Sequence, residues 1–338
     1  MNILTVRNDK LGDLLVTLPA IACIKKNLPD SVISLLARDY TSEVAHRCQY
    51  IDQVLVDPGR EKGLESTLRL SRTLRKGKFD SVVTFFSTGH TGLAVWLARI
   101  PYRLAPATKL AQLAYNHRLT QRRSQSIKPE YEYNLDLARQ FLVDTGVDPI
   151  DTPVAPYLYV DQDTLRKTRS EFLARNQLPD ITRLVFVHAG SGGSSKNLSL
   201  EQYAKLIQLL DISEPYHIIL SAGPGELCYI QSLSELIGEI PHTIYESTEG
   251  LSRFVDHISL ANLFIGGSTG PLHIAGALDV PTAAFYVRLR TSSALRWQTV
   301  NSPERRLAFS PGEKFDEEDM SGVDLVAAAK KIRGTFLP

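Results

Sequence analysis

The residues with the clearest chemical potential lie in the stretch Gly266 to His273, where an apolar run stops and a helical pattern begins. Pro271 suits a first helical position, since its missing N–H has no partner there anyway. The amides of residues 268–270 would then point outward from a helix N-terminus, which binds anions readily. His273 lies within the first turn and can reach the same anion. The pattern predicts a phosphate-binding turn, although a tight turn can also need glycine for backbone reasons alone.

A second small-residue loop, GSGGSSK, covers Gly190 to Lys196. Its small residues let backbone amides approach a phosphate, and Lys196 adds a point charge. We therefore place Ser191 and Gly192 among the substrate-binding residues and Lys196 among the catalytic ones. The alternative is a surface loop with a solvated lysine.

The first strand is followed by a polar loop, Arg7 to Asp13, that leads into a helix. This loop lacks both the glycine pattern of dinucleotide-binding folds and the G-K-[ST] ending of a P-loop. It offers instead Asp13, a carboxylate at a helix N-terminus, directly after Gly12, which we place among the substrate-binding residues. The helix dipole favours the ionised form, so Asp13 can accept a proton or pair with a cation. Its plainer role would be that of a helix cap.

Glu226 ends a third strand-to-helix loop, 222–226, and can accept hydrogen bonds from a ribose diol. A glutamate in a first helical turn often only compensates the helix dipole. The eight histidines form no H-x-x-x-H or H-x-H cluster, so no metal site is predicted.

Short apolar runs alternate with helical patterns through most of the chain, which predicts an α/β fold with parallel sheets covered by helices on both faces. Strands are predicted at residues 2–6, 81–86, 184–188, 217–221, 262–266 and 282–286. Pro19 either kinks the first helix or marks its true start after Thr17. Ser199 and Gln202 form a capping-box pattern before a helix over 200–210. Ligands of such sheets bind beyond the carboxyl ends of the strands.

The length of 338 residues favours two domains. A Pro/Asp-rich segment at 146–156 is the candidate linker, which predicts domains at 1–155 and 156–320 and a C-terminal helical segment at 321–338. The stretch Tyr102 to Tyr133 is polar, basic and irregular in period. We interpret it as a long functional loop suited to an anionic acceptor at a membrane surface.

Composition excludes several classes of protein. The formal net charge of +1 gives no reason to expect a nucleic-acid partner, and 43% hydrophobic with 22% charged residues is typical of a soluble enzyme. Three scattered cysteines indicate a reducing compartment. We see neither a signal peptide nor a membrane span. A cytoplasmic location is expected, with adherence to a membrane surface as the exception.

Three ordered segments, at residues 3–33, 185–207 and 264–286, resemble the family 9 glycosyltransferases, the bacterial lipopolysaccharide heptosyltransferases. The resemblance implies a GT-B fold, in which two Rossmann-like doubly wound domains face a central cleft. The N-terminal domain would bind the acceptor and the C-terminal domain the nucleotide sugar. The last helix often crosses back onto the first domain in this fold. The protein would then work at the inner face of the inner membrane.

The activity implied by the resemblance is inverting, metal-independent transfer of a heptose from ADP-heptose to a hydroxyl of the lipopolysaccharide inner core. Asp13 corresponds to the carboxylate regarded as the general base of the family. Lys196 and the helix amides after Ser268 would stabilise the departing ADP. No cofactor is expected beyond the donor substrate.

The family's donor-binding positions also have counterparts in this chain. They are Lys196 near the diphosphate, Glu226 near the adenosine ribose, and the diphosphate-binding turn of Thr269, Gly270 and His273. One position departs from the pattern, because many members have aspartate where this chain has Ser268. Ser268 can donate a hydrogen bond but brings no charge, which leaves the donor sugar open.

Three other functions fit part of the sequence. A GT-B transferase using a UDP- or GDP-sugar would need the same loops. A catalytically silent sugar-nucleotide or glycolipid binding protein is consistent with Ser268. A Rossmann oxidoreductase is disfavoured, because no predicted strand is followed by G-x-G-x-x-G.

Overall fold

The chain divides into two compact units, Met1–Leu158 and Tyr159–Pro338, at a point just beyond the predicted linker. The computed structural model describes residues 1–59, 63–108, 110–190 and 196–337. Each unit contains one parallel sheet with helices between its strands, as the alternating pattern predicts.

The first unit has a six-stranded parallel sheet in the order β3-β2-β1-β4-β5-β6. Its strands are β1 (Asn2–Val6), β2 (Val32–Ala37), β3 (Gln53–Val56), β4 (Ser81–Thr84), β5 (Tyr102–Pro106) and β6 (His117–Leu119). Its helices are α1 (Leu11–Leu15), α2 (Leu18–Asn27), α3 (Asp39–Ala45), α4 (Gly63–Lys76), α5 (Gly89–Leu97) and α6 (Glu130–Asp144). The central strands β1 and β4 are buried almost throughout, because helices cover both faces of the sheet.

Pro19 begins a new helix rather than kinking one. Helix α1 ends before Thr17, which is the N-cap of α2, and Pro19 lies in the first turn of α2. Asn134 on α6 donates hydrogen bonds of 3.1 Å to both the Val16 carbonyl and the Thr17 hydroxyl. The break between the helices is therefore tied to the core, and the second of the two predicted options is confirmed.

The interpretation of residues 102–133 as one long irregular loop is wrong. Strands β5 and β6 lie within it and extend the sheet at one edge. The basic side chains obscured the strand period because several of them bind inside the unit. Arg103 donates to the carbonyls of Ile100 (2.6 Å) and Ala114 (2.9 Å), and Arg123 pairs with Glu130 at 2.5 Å.

The second unit repeats the architecture, with strand order β12-β11-β10-β7-β8-β9. Its strands are β7 (Arg183–His188), β8 (Tyr216–Ala222), β9 (His242–Glu246), β10 (Ala261–Gly267), β11 (Thr282–Phe285) and β12 (Arg306–Phe309). Its helices are α7 (Gln162–Arg175), α8 (Leu200–Leu210), α9 (Leu227–Ile237), α10 (Gly250–Ile258), α11 (Gly270–Ala277) and α12 (Leu325–Phe336). All of these strand pairs are parallel.

Helix α8 begins with the predicted capping box, in which Ser199 and Gln202 exchange hydrogen bonds of 3.0 and 3.2 Å. Helix α12 packs against α8 within the second unit, where Ala328 and Ile332 share a core with Leu206. The crossing of the last helix onto the first domain stays a prediction.

The parallel topology explains how distant loops come together. Strands β7, β8 and β10 are neighbours, so the loops that follow them meet at one edge of the second sheet. Strands β1 and β4 are neighbours in the first sheet, so Arg7 and Phe85 begin loops at its carboxyl edge. No helix in the described part of the chain has the length and apolar character to cross a membrane.

Candidate functional site

A buried guanidinium organises the carboxyl edge of the first sheet. Arg7 follows β1 directly, and its side chain is 3% exposed. Its Nε donates to Asp9 at 2.8 Å and its Nη2 donates to Asp13 at 2.5 Å. Sequence reasoning identified Asp13 but missed Arg7 and Asp9. The only signal for them was a charged pair directly after a buried strand.

Asp13 lies in the first turn of α1, directly after Gly12, where the sequence predicts a helix N-terminus. The Arg7 guanidinium makes a charge-assisted hydrogen bond to Asp13 in this turn. The Thr17 hydroxyl donates to the Asp13 carbonyl at 2.8 Å, which ties α1 to the start of α2. A fixed carboxylate at this edge can accept a proton from a bound hydroxyl group.

The second carboxylate on the guanidinium, Asp9, is poorly solvated. The pKa of Asp9 is raised from 3.8 to about 6, chiefly by burial and also by the charge of Asp13, while Arg7 opposes the rise. Burial lowers the pKa of Arg7, but Asp9, Asp13 and Glu130 outweigh burial, so the Arg7 pKa is raised. Arg7 therefore stays charged at every working pH, and Asp9 is the group that titrates near neutrality.

We expect Asp9→Asn to change how stability depends on pH. Between pH 4 and about 6 the folded state holds a proton on Asp9 that the unfolded state has released, so the free energy of unfolding falls as pH rises through that window. The fall from this group amounts to about 3 kcal/mol, and the asparagine variant should lose it. Urea unfolding at pH 4 and pH 7.5, which span the window, checks this. The exposed Asp163→Asn is the control, and an Asp9→Asn slope equal to that of wild type would contradict the prediction.

A polar chain at the same edge joins four elements. Asp57, after β3, accepts hydrogen bonds from the Asn8 amide and from His90 Nε2, the latter at 3.1 Å. His90 Nδ1 lies 2.8 Å from the Thr67 hydroxyl on α4. All four side chains are buried or nearly so. This network holds the loop after β1 in place, and sequence reasoning missed it because its members are far apart in the chain.

In the second unit, the turn after β10 has the predicted strand-to-helix form, but its helix begins one residue early. Thr269 is the N-cap and α11 starts at Gly270. Because Pro271 has no N–H, the free amides of the first turn belong to Gly270 and Leu272. The Thr269 hydroxyl is buried and has no hydrogen-bond partner among the described atoms. His273 is also buried, and its ring meets Trp297 edge-on with centroids 6.2 Å apart. Ser268 is half-buried in the same turn.

Asn197 joins the Lys196 loop to this turn. Its Nδ2 donates to the Ala189 carbonyl at 3.0 Å, and its Oδ1 accepts from the Tyr203 hydroxyl at 2.7 Å. A Cβ on Gly267 would lie only 2.5 Å from that Oδ1. Asn197, which directly follows Lys196, is therefore packed against the end of β10. Sequence reasoning missed Asn197, which looks like an ordinary loop residue.

We expect Gly267→Ala to destabilise the protein by about 1–3 kcal/mol, because Asn197 is held by several hydrogen bonds and cannot move aside. Gly89→Ala is the matched control, since a Cβ there meets nothing within 4 Å. Urea unfolding of both variants tests the packing. Equal stability of the two variants would show that Asn197 moves aside at little cost in free energy.

Lys196 itself is exposed and pairs with Glu318, with Nζ 3.1 Å from Oε2. Glu318 belongs to an acidic run, residues 316–319, that lines a groove of about 1020 Å³ together with Asn197 and Gln202. Glu318, the ion-pair partner of the lysine, is about half exposed, and the Lys196 charge also acts on Asp319. Ser191 and Gly192, two predicted substrate-binding residues, lie outside the described residues.

The Glu226 side chain packs directly against Gly190 at the carboxyl edge of the second sheet. Its Oε2 accepts from the Gly223 amide at 2.9 Å, and a Cβ on Gly190 would lie 2.2 Å from that oxygen. His188, at the end of β7, points Nε2 toward Glu226 at 3.7 Å and Nδ1 toward the Ser221 hydroxyl at 3.0 Å. Burial lowers the pKa of His188 although Glu226 opposes the shift, so the ring is neutral. His188 was missed because it ends an apolar strand.

The second sheet therefore brings Lys196, Glu226 and the Thr269 turn to neighbouring loops. Their chemistry is a cation, a carboxylate and free helix amides, which together suit a nucleoside diphosphate. Among the residues that the structure describes, no three His, Cys, Asp or Glu side chains are grouped to hold a metal ion.

Known proteins resemble this chain over most of its length. The family described as glycosyltransferase family 9 (heptosyltransferase) matches residues 67–310. A candidate glycosyltransferase of Haemophilus influenzae is 42% identical over 310 residues, which cover 91% of this chain and 89% of that protein.

Two solved structures share the fold. The family 9 glycosyl transferase of Veillonella parvula has a TM-score of 0.84 and 18% identity, with 99% of this chain and 97% of that chain covered. The ADP-heptose lipopolysaccharide heptosyltransferase II of Escherichia coli has a TM-score of 0.78 and 16% identity, with 100% and 99% covered. The predicted GT-B fold is confirmed, and the chain belongs to glycosyltransferase family 9, the heptosyltransferases.

Proposed function

We propose that the protein transfers a heptose from ADP-heptose to a hydroxyl of the lipopolysaccharide inner core, with inversion at the anomeric carbon. The observation that carries the proposal is the turn at Thr269–Gly270, which has free amides and an unsatisfied buried hydroxyl next to a lysine-bearing loop. A nucleoside diphosphate satisfies all of these groups at once.

Asp13 acts as the general base. As the acceptor oxygen attacks the anomeric carbon, its proton passes to the Asp13 carboxylate and the bond from that carbon to the ADP oxygen breaks. Displacement from the opposite side inverts the configuration. The ion pair with Arg7 fixes the direction of the carboxylate, so the base does not need to reorient during the reaction.

Lys196 and the Gly270 and Leu272 amides stabilise the charge that develops on the departing ADP. A cation and a helix N-terminus can neutralise a diphosphate without a metal ion, so turnover in excess EDTA is part of the proposal. Glu226 accepts hydrogen bonds from the ribose. In the absence of the usual aspartate, Ser268 contacts the donor through its hydroxyl alone.

The direct experiment is calorimetric titration with ADP, UDP and GDP, followed by an ADP-release assay with ADP-heptose and a heptose-deficient core acceptor. Tight ADP binding and turnover that survives EDTA are the expected results. A preference for UDP or GDP would redirect the proposal to another nucleotide sugar. Binding of ADP-heptose without turnover on any core acceptor would favour a silent binding protein, the alternative that Ser268 keeps open.

The acceptor of this reaction is an anionic glycolipid, so we also propose that the protein works in the cytoplasm beside the inner membrane. Its partners would be the nucleotide sugar, the lipopolysaccharide core and the membrane surface. Nucleic acid has no role in this scheme.

A further inference from the structure

Helices α4 and α5 lie side by side on one face of the first sheet and run in the same direction. Near their starts, the Thr67 hydroxyl lies 2.8 Å from His90 Nδ1. Near their ends, Arg75 Nη2 donates to the Leu97 carbonyl at 2.5 Å. A short 3-10 turn, Leu110–Ala114, flanks α5 on one side, since a Cβ on Gly92 would lie 3.3 Å from the Ala114 Cβ.

The outward side of this layer exposes large apolar side chains among its charged ones. Leu64 and Leu68 on α4 are exposed, and so are Leu93 and Trp96 on α5. The 3-10 turn adds Leu110 and Leu113, whose side chains are 85% and 74% exposed. We call this surface, formed by the outward residues of α4, α5 and the turn, the α4–α5 face. Clustered exposed leucines with a tryptophan mark a surface that binds something apolar.

The same layer carries a large excess of positive charge. Helices α4 and α5 carry Arg69, Arg72, Arg75 and Lys76 against one carboxylate, Glu65, although the whole chain has a net charge of only +1. The segment between α4 and β4 adds Lys78 and Asp80. Arg69, Arg72 and Arg99 are exposed in or next to the two helices. Asp80 lies before β4, at the opposite edge of the sheet from Arg7, where it accepts a hydrogen bond from the Asn2 amide at 2.7 Å.

We propose that the α4–α5 face docks on a bilayer that contains anionic phospholipid. Leucine and tryptophan side chains partition into the boundary between headgroups and acyl chains, and surrounding arginines bind the lipid phosphates. An anionic lipid surface matches the excess of cations on these two helices, in which Glu65 is the one carboxylate. The inference stands on this surface alone and does not depend on the identity of the donor or on Asp13.

Flotation with vesicles tests the proposal on the full chain. Vesicles of phosphatidylglycerol and phosphatidylcholine should carry the protein upward at low salt, and phosphatidylcholine alone should not. Binding should weaken as salt is raised, because the arginine contacts are screened. The fluorescence of the wild type should shift to the blue on vesicles, and Trp96→Phe should abolish most of that shift although Trp297 remains.

Two double variants separate the apolar and charged contributions. Leu93→Ser with Trp96→Ser, and Arg69→Glu with Arg72→Glu, should each weaken vesicle binding about tenfold or more. The matched controls are Ile181→Ser and Arg166→Glu, both at exposed positions in the second unit, and both should bind like wild type. Circular dichroism and urea unfolding confirm that each variant is folded.

Other outcomes would overturn the inference. Equal binding to vesicles with and without phosphatidylglycerol would remove the role of the charged field. Full vesicle binding by both double variants would place the contact elsewhere on the molecule. Dimerisation in sedimentation that Trp96→Ser abolishes, together with no vesicle binding, would assign the face to a second copy of the chain.

Discussion

Asp13→Asn should lower kcat about 10²- to 10⁴-fold, the usual contribution of a general base, while the Kd for ADP stays nearly unchanged. Asparagine keeps the size of the side chain, and its carbonyl oxygen can still accept the hydrogen bond from Arg7. The variant loses the ability to take a proton and the negative charge of the ion pair with Arg7. Single-turnover measurement with saturating ADP-heptose isolates this step from binding.

The neighbouring carboxylate supplies the control for this prediction. Asp9 binds the same guanidinium through Nε, so Asp9→Asn disturbs Arg7 to a similar degree without removing the proposed base. We expect its kcat to change far less than that of Asp13→Asn. Equal losses in the two variants, or normal turnover by Asp13→Asn, would remove Asp13 from its assigned role.

Lys196→Met should lower kcat about 10²- to 10³-fold, the range seen when one preorganised group that stabilises developing charge is removed. Methionine preserves most of the length of the side chain and removes the positive charge. The expected loss includes weaker ADP binding, because the ground-state diphosphate also carries negative charge. Steady-state rates and calorimetry on the same preparation separate the two effects.

Glu318→Gln tests whether the ion pair with Glu318 weakens the interaction of Lys196 with the donor. The Lys196–Glu318 pair is about half exposed, and such pairs contribute about 0.2–1 kcal/mol. Releasing the lysine should therefore lower the donor KM by less than about fivefold and leave kcat unchanged. Unaltered turnover by Lys196→Met would show that the helix amides alone stabilise the leaving group.

Local sequence signals were sufficient for the fold and for several site residues. Continuous apolar strands, the capping box at Ser199 and the first-turn proline at Pro271 each act within a few residues, so the sequence alone indicates the parallel α/β units. Asp13 and Thr269 were found in the same way, because a helix N-terminus after a buried strand is visible in the sequence. The catalytic and binding roles given to these residues stay predictions.

Long-range contacts could not be predicted from one sequence. Arg7 can fix the direction of Asp13 only in the folded chain, where Asp9 and Asp13 both contact its guanidinium. Asn197 limits the side chain allowed at position 267, because Gly267 lies directly beside it in the folded structure. The strands at residues 102–106 and 117–119 were missed because basic residues within them interrupt the alternation of apolar and polar side chains. In each case the information lies in tertiary packing, which a local pattern does not carry.

The shared direction of α4 and α5 has a geometric consequence for the acceptor. Helices that cover a parallel sheet lie nearly along its strands, so the plane of the sheet would rest flat above a lipid surface bound by these two helices. The helices would then lie at the level of the headgroups, because their apolar side chains enter the boundary with the acyl chains. Arg7 and Asp13 would lie within one helix diameter, about 10 Å, of that surface. The hydroxyl that reacts would therefore belong to a sugar near the lipid end of the glycan, within that short distance of the membrane.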